Sequence, residues 1–183
     1  VASGMESGGH RVSFLRPAED SLVGTFALVP QVVDAVSIPV IAAGGIADRR
    51  GYAAALALGA DAVQVGTAFL ATRESAAVPA YRAILHSPAA RETVLTRALS
   101  GRLARGIPNR FIAALTDAGL TATEAAVAPF PVQNWLTGRF RPEAAAQGNT
   151  ELMSLWAGQS ASLIRHESAA DVLAELLAGR TVL

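Results

Sequence analysis

Two kinds of hydrophobic run organise the centre of the chain. Ile38 to Ile46 and Asp61 to Leu70 are short, apolar and rich in β-branched residues, and each is interrupted by glycine, at Gly44-Gly45 and Gly66. Between them Tyr52 to Leu58 is rich in alanine and closes at Gly59. A strand that is apolar along its length is covered on both faces, which is the habit of parallel sheets. Strand, loop, helix and strand make one βαβ unit. Strands are therefore predicted over Pro39–Ile46 and Asp61–Leu70, with Asp48 as a cap for the helix that ends at Gly59.

The flanking pattern predicts further elements. Gly4 to Arg11 is a glycine-rich loop after a strand end at Val1, and Ser13 to Gly24 is a polar connection that could lie over a site as a flap. Thr25 to Val36 has apolar residues at helical spacing, with Pro30 placed near the first turn. Pro79 to Leu85 reads as a helix, and Ser87-Pro88 as an N-cap with proline at the first helical position of a helix running to about Leu99. From Ser100 the pattern changes to short helices between glycine and proline breaks. Thr121 and Glu124 have capping-box spacing, while Asn149 and Leu152 have the spacing without the acid. A last helix is predicted from Ala169 to Ala178, opened by Ser168 and stopped at Gly179.

Composition narrows the class. With 183 residues, 51% of them hydrophobic, the chain can bury one domain or a domain with an appendage. Fifteen basic residues balance fifteen acidic ones, which gives no general pull toward nucleic acid or an anionic membrane. No run reaches the roughly 20 apolar residues of a spanning helix. There is no cysteine, so disulfides, thiolate metal sites and a cysteine nucleophile are excluded. These features read as a cytoplasmic protein. Only about three barrel-type strands are found through Leu70, against the roughly 250 residues of a complete (β/α)8 barrel. The chain is thus expected to be the carboxyl-terminal part of something larger.

The candidate chemistry gathers at strand ends. Gly44-Gly45 and Gly66-Thr67 end successive strands, and glycine there lets backbone N–H groups meet an anion with no Cβ in the way. In barrels the loops after the last two strands commonly hold phosphate. His10 follows two glycines in a loop on the same face, which makes it a candidate general base or hydrogen-bond donor. His86 and His166 lie in helical segments and read as structural or exposed. Glu6 reads as a turn residue, Trp135 and Trp156 as packing residues, and Arg97, Arg102, Arg105 and Arg110 as mostly solvated, with one able to reach an anion.

Gly4-Met5-Glu6-Ser7-Gly8-Gly9-His10-Arg11, Leu28 to Ala35, Pro39 to Asp48 and Gln64-Val65-Gly66-Thr67-Ala68-Phe69-Leu70 together resemble the nitronate monooxygenase (2-nitropropane dioxygenase) family. The likeness continues through Gly101 to Arg105 and Leu155 to Gln159, so it covers most of the chain. It implies an α/β fold: the carboxyl-terminal part of a TIM-type barrel with a smaller, mainly helical second domain. Residues 1–99 would be barrel, 100–157 the covering domain, and 158–183 a final helix packing back.

The resemblance also implies FMN at the barrel mouth, surrounded by Gly8, Gly45, Gln64, Val65, Gly66 and Thr67, with Gly44 as a neighbour. The glycine amides and Thr67 would take the phosphate. His10 would be the catalytic residue, polarising or deprotonating at the nitro-bearing carbon. Seven residues before the histidine the family often has glutamine near the flavin ring; here Ser3 stands, and its hydroxyl reaches less far. The implied reaction is oxidation of an alkyl nitronate, such as propionate 3-nitronate, by O2 to a carbonyl compound and nitrite. Nitronate and O2 are then the partners, with no nucleic acid or membrane. The first half of the barrel is expected to complete the site, and a homodimer is an expectation that no residue carries. Two alternatives stand beside this reading. One is a flavin-dependent enoyl-acyl-carrier-protein reductase, which has a similar Gly-Gly-His loop but against which the Leu155–Gln159 run counts. The other is an inactive partial barrel acting as a subunit. A barrel like that of inosine-monophosphate dehydrogenase needs a cysteine.

Overall fold

The computed structural model describes residues 1–117 and 127–182. Its first half contains β1 (Ala2–Ser3), β2 (Gly9–His10), α1 (Thr25–Ala35), β3 (Ile41–Ala43), α2 (Arg49–Ala57), β4 (Ala62–Gln64), α3 (Thr67–Leu70) and α4 (Pro79–Leu85). Then follow β5 (Val94–Thr96), β6 (Ala104–Gly106), α5 (Arg110–Asp117), α6 (Val132–Thr137), α7 (Arg141–Ala146) and α8 (Ala169–Leu177).

The apolar runs do form a parallel sheet. Its order is β1-β3-β4, with Ala2 opposite Ala42 and Ala42 opposite Val63. All three strands therefore end at the same edge, where Gly4, Gly44 and Gly66 follow them. Ala2, Ala42 and Val40 are buried in one core with Val29 of α1, Ala55 of α2, and Val172 and Leu176 of α8. Small residues on the strands let these helices approach closely. The Asp61 carboxylate accepts from the Val40 amide at 2.7 Å and ties the starts of β3 and β4 together.

Two local expectations hold at helix starts. Asp48 accepts from the amides of Arg50 at 2.9 Å and Gly51 at 3.4 Å, satisfying donors that open α2. The Arg50 guanidinium also binds this carboxylate and holds its pKa below the usual carboxylate value. Asp48→Ala is expected to cost about 0.5–2 kcal/mol of stability, measured by urea unfolding. Ser168 caps α8 through the Asp171 amide at 3.5 Å.

Other expectations are corrected. The second strand stops at Gln64, and Thr67–Leu70 is a short helix, because the chain turns at Gly66. Pro30 is the sixth residue of α1, inside the helix and beyond its first turn. Ser87 does cap through the Ala89 amide, but only a 3₁₀ turn over Pro88–Arg91 follows. From Val94 the chain is a strand, antiparallel to β6, which in turn pairs with β2. The β-branched Thr93, Val94 and Thr96 favour this extended backbone, and pairing with β6 overrides the helical signal of the alanines before them. Asn149 caps a 3₁₀ turn over Thr150–Leu152 by accepting from Glu151 N at 3.2 Å, with no acid needed. The Thr121–Glu124 spacing lies outside the described residues. No helix among the described residues is long and apolar enough to cross a membrane.

Candidate functional site

The carboxyl edge of the parallel sheet opens into a cavity of about 330 Å³. Ser3, Gly44, Gly45, Gln64, Gly66 and Thr67 line it, and so does Gly8 from the loop between β1 and β2. Seven of the sequence-predicted residues thus converge from three strands and one loop. The eighth, Val65, does not line the cavity, and its side chain packs against the sheet core.

Glycine is required at these walls for two different reasons. Gly44 and Gly45 have φ of +100° and +74°, in the left-handed region where a side chain is strained. Gly8 is a packing requirement: a Cβ there would lie 2.7 Å from the backbone of Ala157. At Gly66 an added Cβ meets nothing within 4 Å, so this Cα faces open cavity. The amides of Gly45 and Gly66 donate to no group among the described residues. The Thr67 hydroxyl accepts from Gly158 N at 3.0 Å, which leaves its own proton free to donate. Unpaired amides, a free hydroxyl and a wall open at a glycine form a cradle suited to an anion such as phosphate.

His10 stands beside this cavity. Its ring lies 5.3 Å from that of Trp156, which lines the cavity, and 6.4 Å from that of Phe130. Its Nε2 is 2.7 Å from the hydroxyl of Ser100, a buried residue. The same hydroxyl contacts the Arg102 carbonyl at 3.2 Å and the Arg102 amide at 3.3 Å. A hydroxyl has one proton and two lone pairs. All three contacts are satisfied together when Ser100 donates to the carbonyl and accepts from the amide and from His10 Nε2–H. That tautomer leaves Nδ1 with a free lone pair, able to take a proton.

The charge state of His10 is set by its surroundings. Packing against its neighbours, then the positive fields of Arg102, Arg141 and Arg11, lower its pKa below 6.5. The folded protein therefore binds this proton less readily than the unfolded chain does. Stability from this group is present above pH 6.5 and is lost as pH falls from there toward the lowered value. Arg102→Gln removes the first of the three fields, so the His10 pKa is expected to rise, as followed by imidazole proton NMR. A pKa unmoved by the substitution contradicts this assignment.

Several residues at the site escaped the sequence reading. Glu6 is more than a turn residue: its carboxylate accepts from Thr25 N and Thr25 Oγ1 at 2.9 Å and forms part of the cavity wall. Ser7 joins it there, with its hydroxyl 2.9 Å from that of Ser3. Trp156 packs on a core that contains Leu99 and Ile112, yet also faces the cavity. Trp135, expected to pack, is 66% exposed. Among the arginines, Arg105 is buried, Arg97 pairs with Glu19 at 2.5 Å, and none of the four lines the cavity. Gly158 and Ser160 also line it, and a glycine set between a buried strand-like run and polar residues was the signal available for them. His86 is exposed and bonds the Ala71 carbonyl at 3.2 Å, as a structural histidine does.

The sequence profile of the family described as nitronate monooxygenase matches residues 1–179. The chain belongs to the nitronate monooxygenase family. A probable nitronate monooxygenase of Staphylococcus aureus (strain Newman) is 46% identical over 178 residues, which are 97% of this chain and 49% of that protein. Among solved structures, nitroalkane oxidase from Streptomyces ansochromogenes superposes with a TM-score of 0.85 at 40% identity, over 98% of this chain and 52% of that one. FabK from Thermotoga maritima gives 0.75 at 38% identity, over 98% of this chain and 54% of that one. This nitronate monooxygenase family chain thus spans about half the length of the relatives it matches. Among the described residues no group of His, Cys, Asp and Glu could hold a metal ion.

Proposed function

We propose that the cavity binds FMN and that the protein, through this site, takes part in oxidation of alkyl nitronates by O2 to carbonyl compounds and nitrite. The observation that carries the reading is the joining of two features. A glycine-walled cradle with unpaired amides at Gly45 and Gly66 lies beside a neutral histidine fixed by Ser100. In this reading the amides of Gly45 and Gly66 and the Thr67 hydroxyl take the phosphate of FMN. Gly8, Gly44, Gln64 and Ser3 close around the rest, and Val65 contributes through its backbone. When bound, FMN supplies the electron chemistry.

The chain's own residues then handle binding and protons. Trp156 and Phe130 flank the imidazole with apolar surface, and His10 itself stays exposed to solvent. A nitronate is an anion, and Arg102, Arg141 and Arg11 make the potential around His10 positive. When the compound arrives as the parent nitroalkane, His10 Nδ1 is free to take the proton from the nitro-bearing carbon and so form the nitronate, while Nε2 keeps its bond to Ser100. A nitronate has already lost that proton and is held by the positive potential around His10. Residues 1–99 in this account form part of a barrel wall, residues 100–157 its cover and residues 158–183 the returning helix. The cytoplasm is the expected compartment.

Titration of FMN into the purified protein tests the cofactor assignment. Saturable quenching of flavin fluorescence is expected. A protein that leaves the fluorescence of added FMN unchanged would rule the assignment out for this polypeptide.

A further inference from the structure

We propose that Arg11 and Arg105 are positioning residues for the cavity, acting through the loop from Gly4 to Gly9; the inference rests on the FMN reading above. Arg11 directly follows β2, and Arg105 lies in β6, where it is paired with Gly9. Both are almost fully buried, with 6% and 3% exposure, and neither forms an ion pair among the described residues. A buried guanidinium without a carboxylate is costly unless its N–H groups are bound.

Here they are bound by the loop itself. Arg11 donates from Nη1 to the Gly4 carbonyl at 3.0 Å, and from Nη2 to the Ser7 carbonyl and to the Gly9 carbonyl at 3.2 Å. Arg105 donates from Nε to the Met5 carbonyl at 2.9 Å and from Nη1 to Thr93 Oγ1 at 3.2 Å. The Glu6 carbonyl accepts from Gln159 N at 2.9 Å. The carbonyls of Gly4, Met5, Ser7 and Gly9 are thus held by two guanidinium groups. The Nε of Arg11 is buried without a partner, so the loop carbonyls bind this guanidinium through Nη1 and Nη2 alone.

The arrangement matters because the same short loop puts Glu6, Ser7 and Gly8 into the cavity wall and delivers His10 to Ser100. Neither guanidinium lines the cavity, so the carbonyls bound to them are drawn away from it. Carbonyl oxygens facing the cavity would repel a phosphate or a nitronate. The two arginines also leave a surplus of buried positive charge under the loop, opposed by the field of Glu6. Lysine cannot replace this device. Its three donors radiate from one atom, whereas the planar fork of arginine spans separated carbonyls.

Arg11→Lys tests the proposal, because it keeps the charge and removes the fork. In the protein without FMN, amide hydrogen exchange across residues 4–10 is expected to accelerate by at least about tenfold, with α1, α2 and α8 unchanged. FMN affinity is expected to fall by at least about tenfold, the scale of one lost charge-assisted hydrogen bond. Arg105→Lys, which loses the Met5 contact, should change both in the same direction by less, and it serves if Arg11→Lys does not fold. Exchange and affinity unchanged in either folded variant overturn the proposal. So does exchange that accelerates evenly through the whole fold, since the arginines would then only stabilise. If the parent protein binds no FMN, the cofactor reading fails, and the exchange measurement still decides whether the arginines set the loop.

Discussion

His10→Ala will leave FMN bound and lower turnover of a nitroalkane by about 10²–10⁴-fold, the range for a positioned proton carrier, with a smaller loss on the nitronate, which has already given up that proton. The expectation follows from placement. The imidazole is adjacent to the cavity through Trp156 but is not one of its walls, so its removal spares the cradle. Its Nε2 is held by Ser100 and its pKa is lowered by packing and by three arginines, so it is neutral at pH 7 with Nδ1 open. Steady-state kinetics in parallel with a flavin fluorescence titration check both parts. Unchanged turnover would return His10 to an ordinary surface role.

Gly66→Asp is expected to abolish FMN binding at micromolar concentration, a loss of at least about 100-fold, with the melting temperature held. Two opposite effects of one side chain separate here. The backbone at Gly66 is right-handed, with φ of −100° and ψ of −66°, and an added Cβ meets nothing within 4 Å, so the fold tolerates aspartate. In the cradle, however, the carboxylate fills space that the phosphate needs and opposes its charge. Two like charges at 4 Å repel by about 4 kcal/mol at an effective dielectric of 20. Thermal melting and FMN titration of the same sample measure the two effects. Intact FMN binding would place the phosphate elsewhere in the cavity.

The sequence was most legible where a signal is local and one residue carries it. Glycine at Gly44 and Gly45, and caps at Asp48 and Ser168, report backbone conformation directly, with positive φ at the first two and side-chain caps at the others; Gly66 instead leaves a wall open to the cavity. Apolar runs without polar alternation announced a parallel sheet, and the sheet brought seven of eight nominated cofactor residues to one cavity. Pairing across long separations was not legible. Ser100 meets His10 only because β6 folds back on β2, and ninety residues of sequence separate the two side chains. The same ladder buries Arg105 and turns a predicted helix into β5, since a strand exists only with its partner. Trp156 has the composition of a core residue and becomes a cavity wall because Gly8 and Gly158 allow the two backbones to touch.

The measurement that tests the account most directly is an anaerobic mix of the FMN-loaded protein with propionate 3-nitronate, set beside the same protein mixed with NADH. The account predicts that the nitronate bleaches the visible flavin absorbance, that readmitted O2 restores it with release of nitrite, and that NADH has no effect. Bleaching by NADH with no response to the nitronate would contradict it and assign the site to a nicotinamide-dependent reductase.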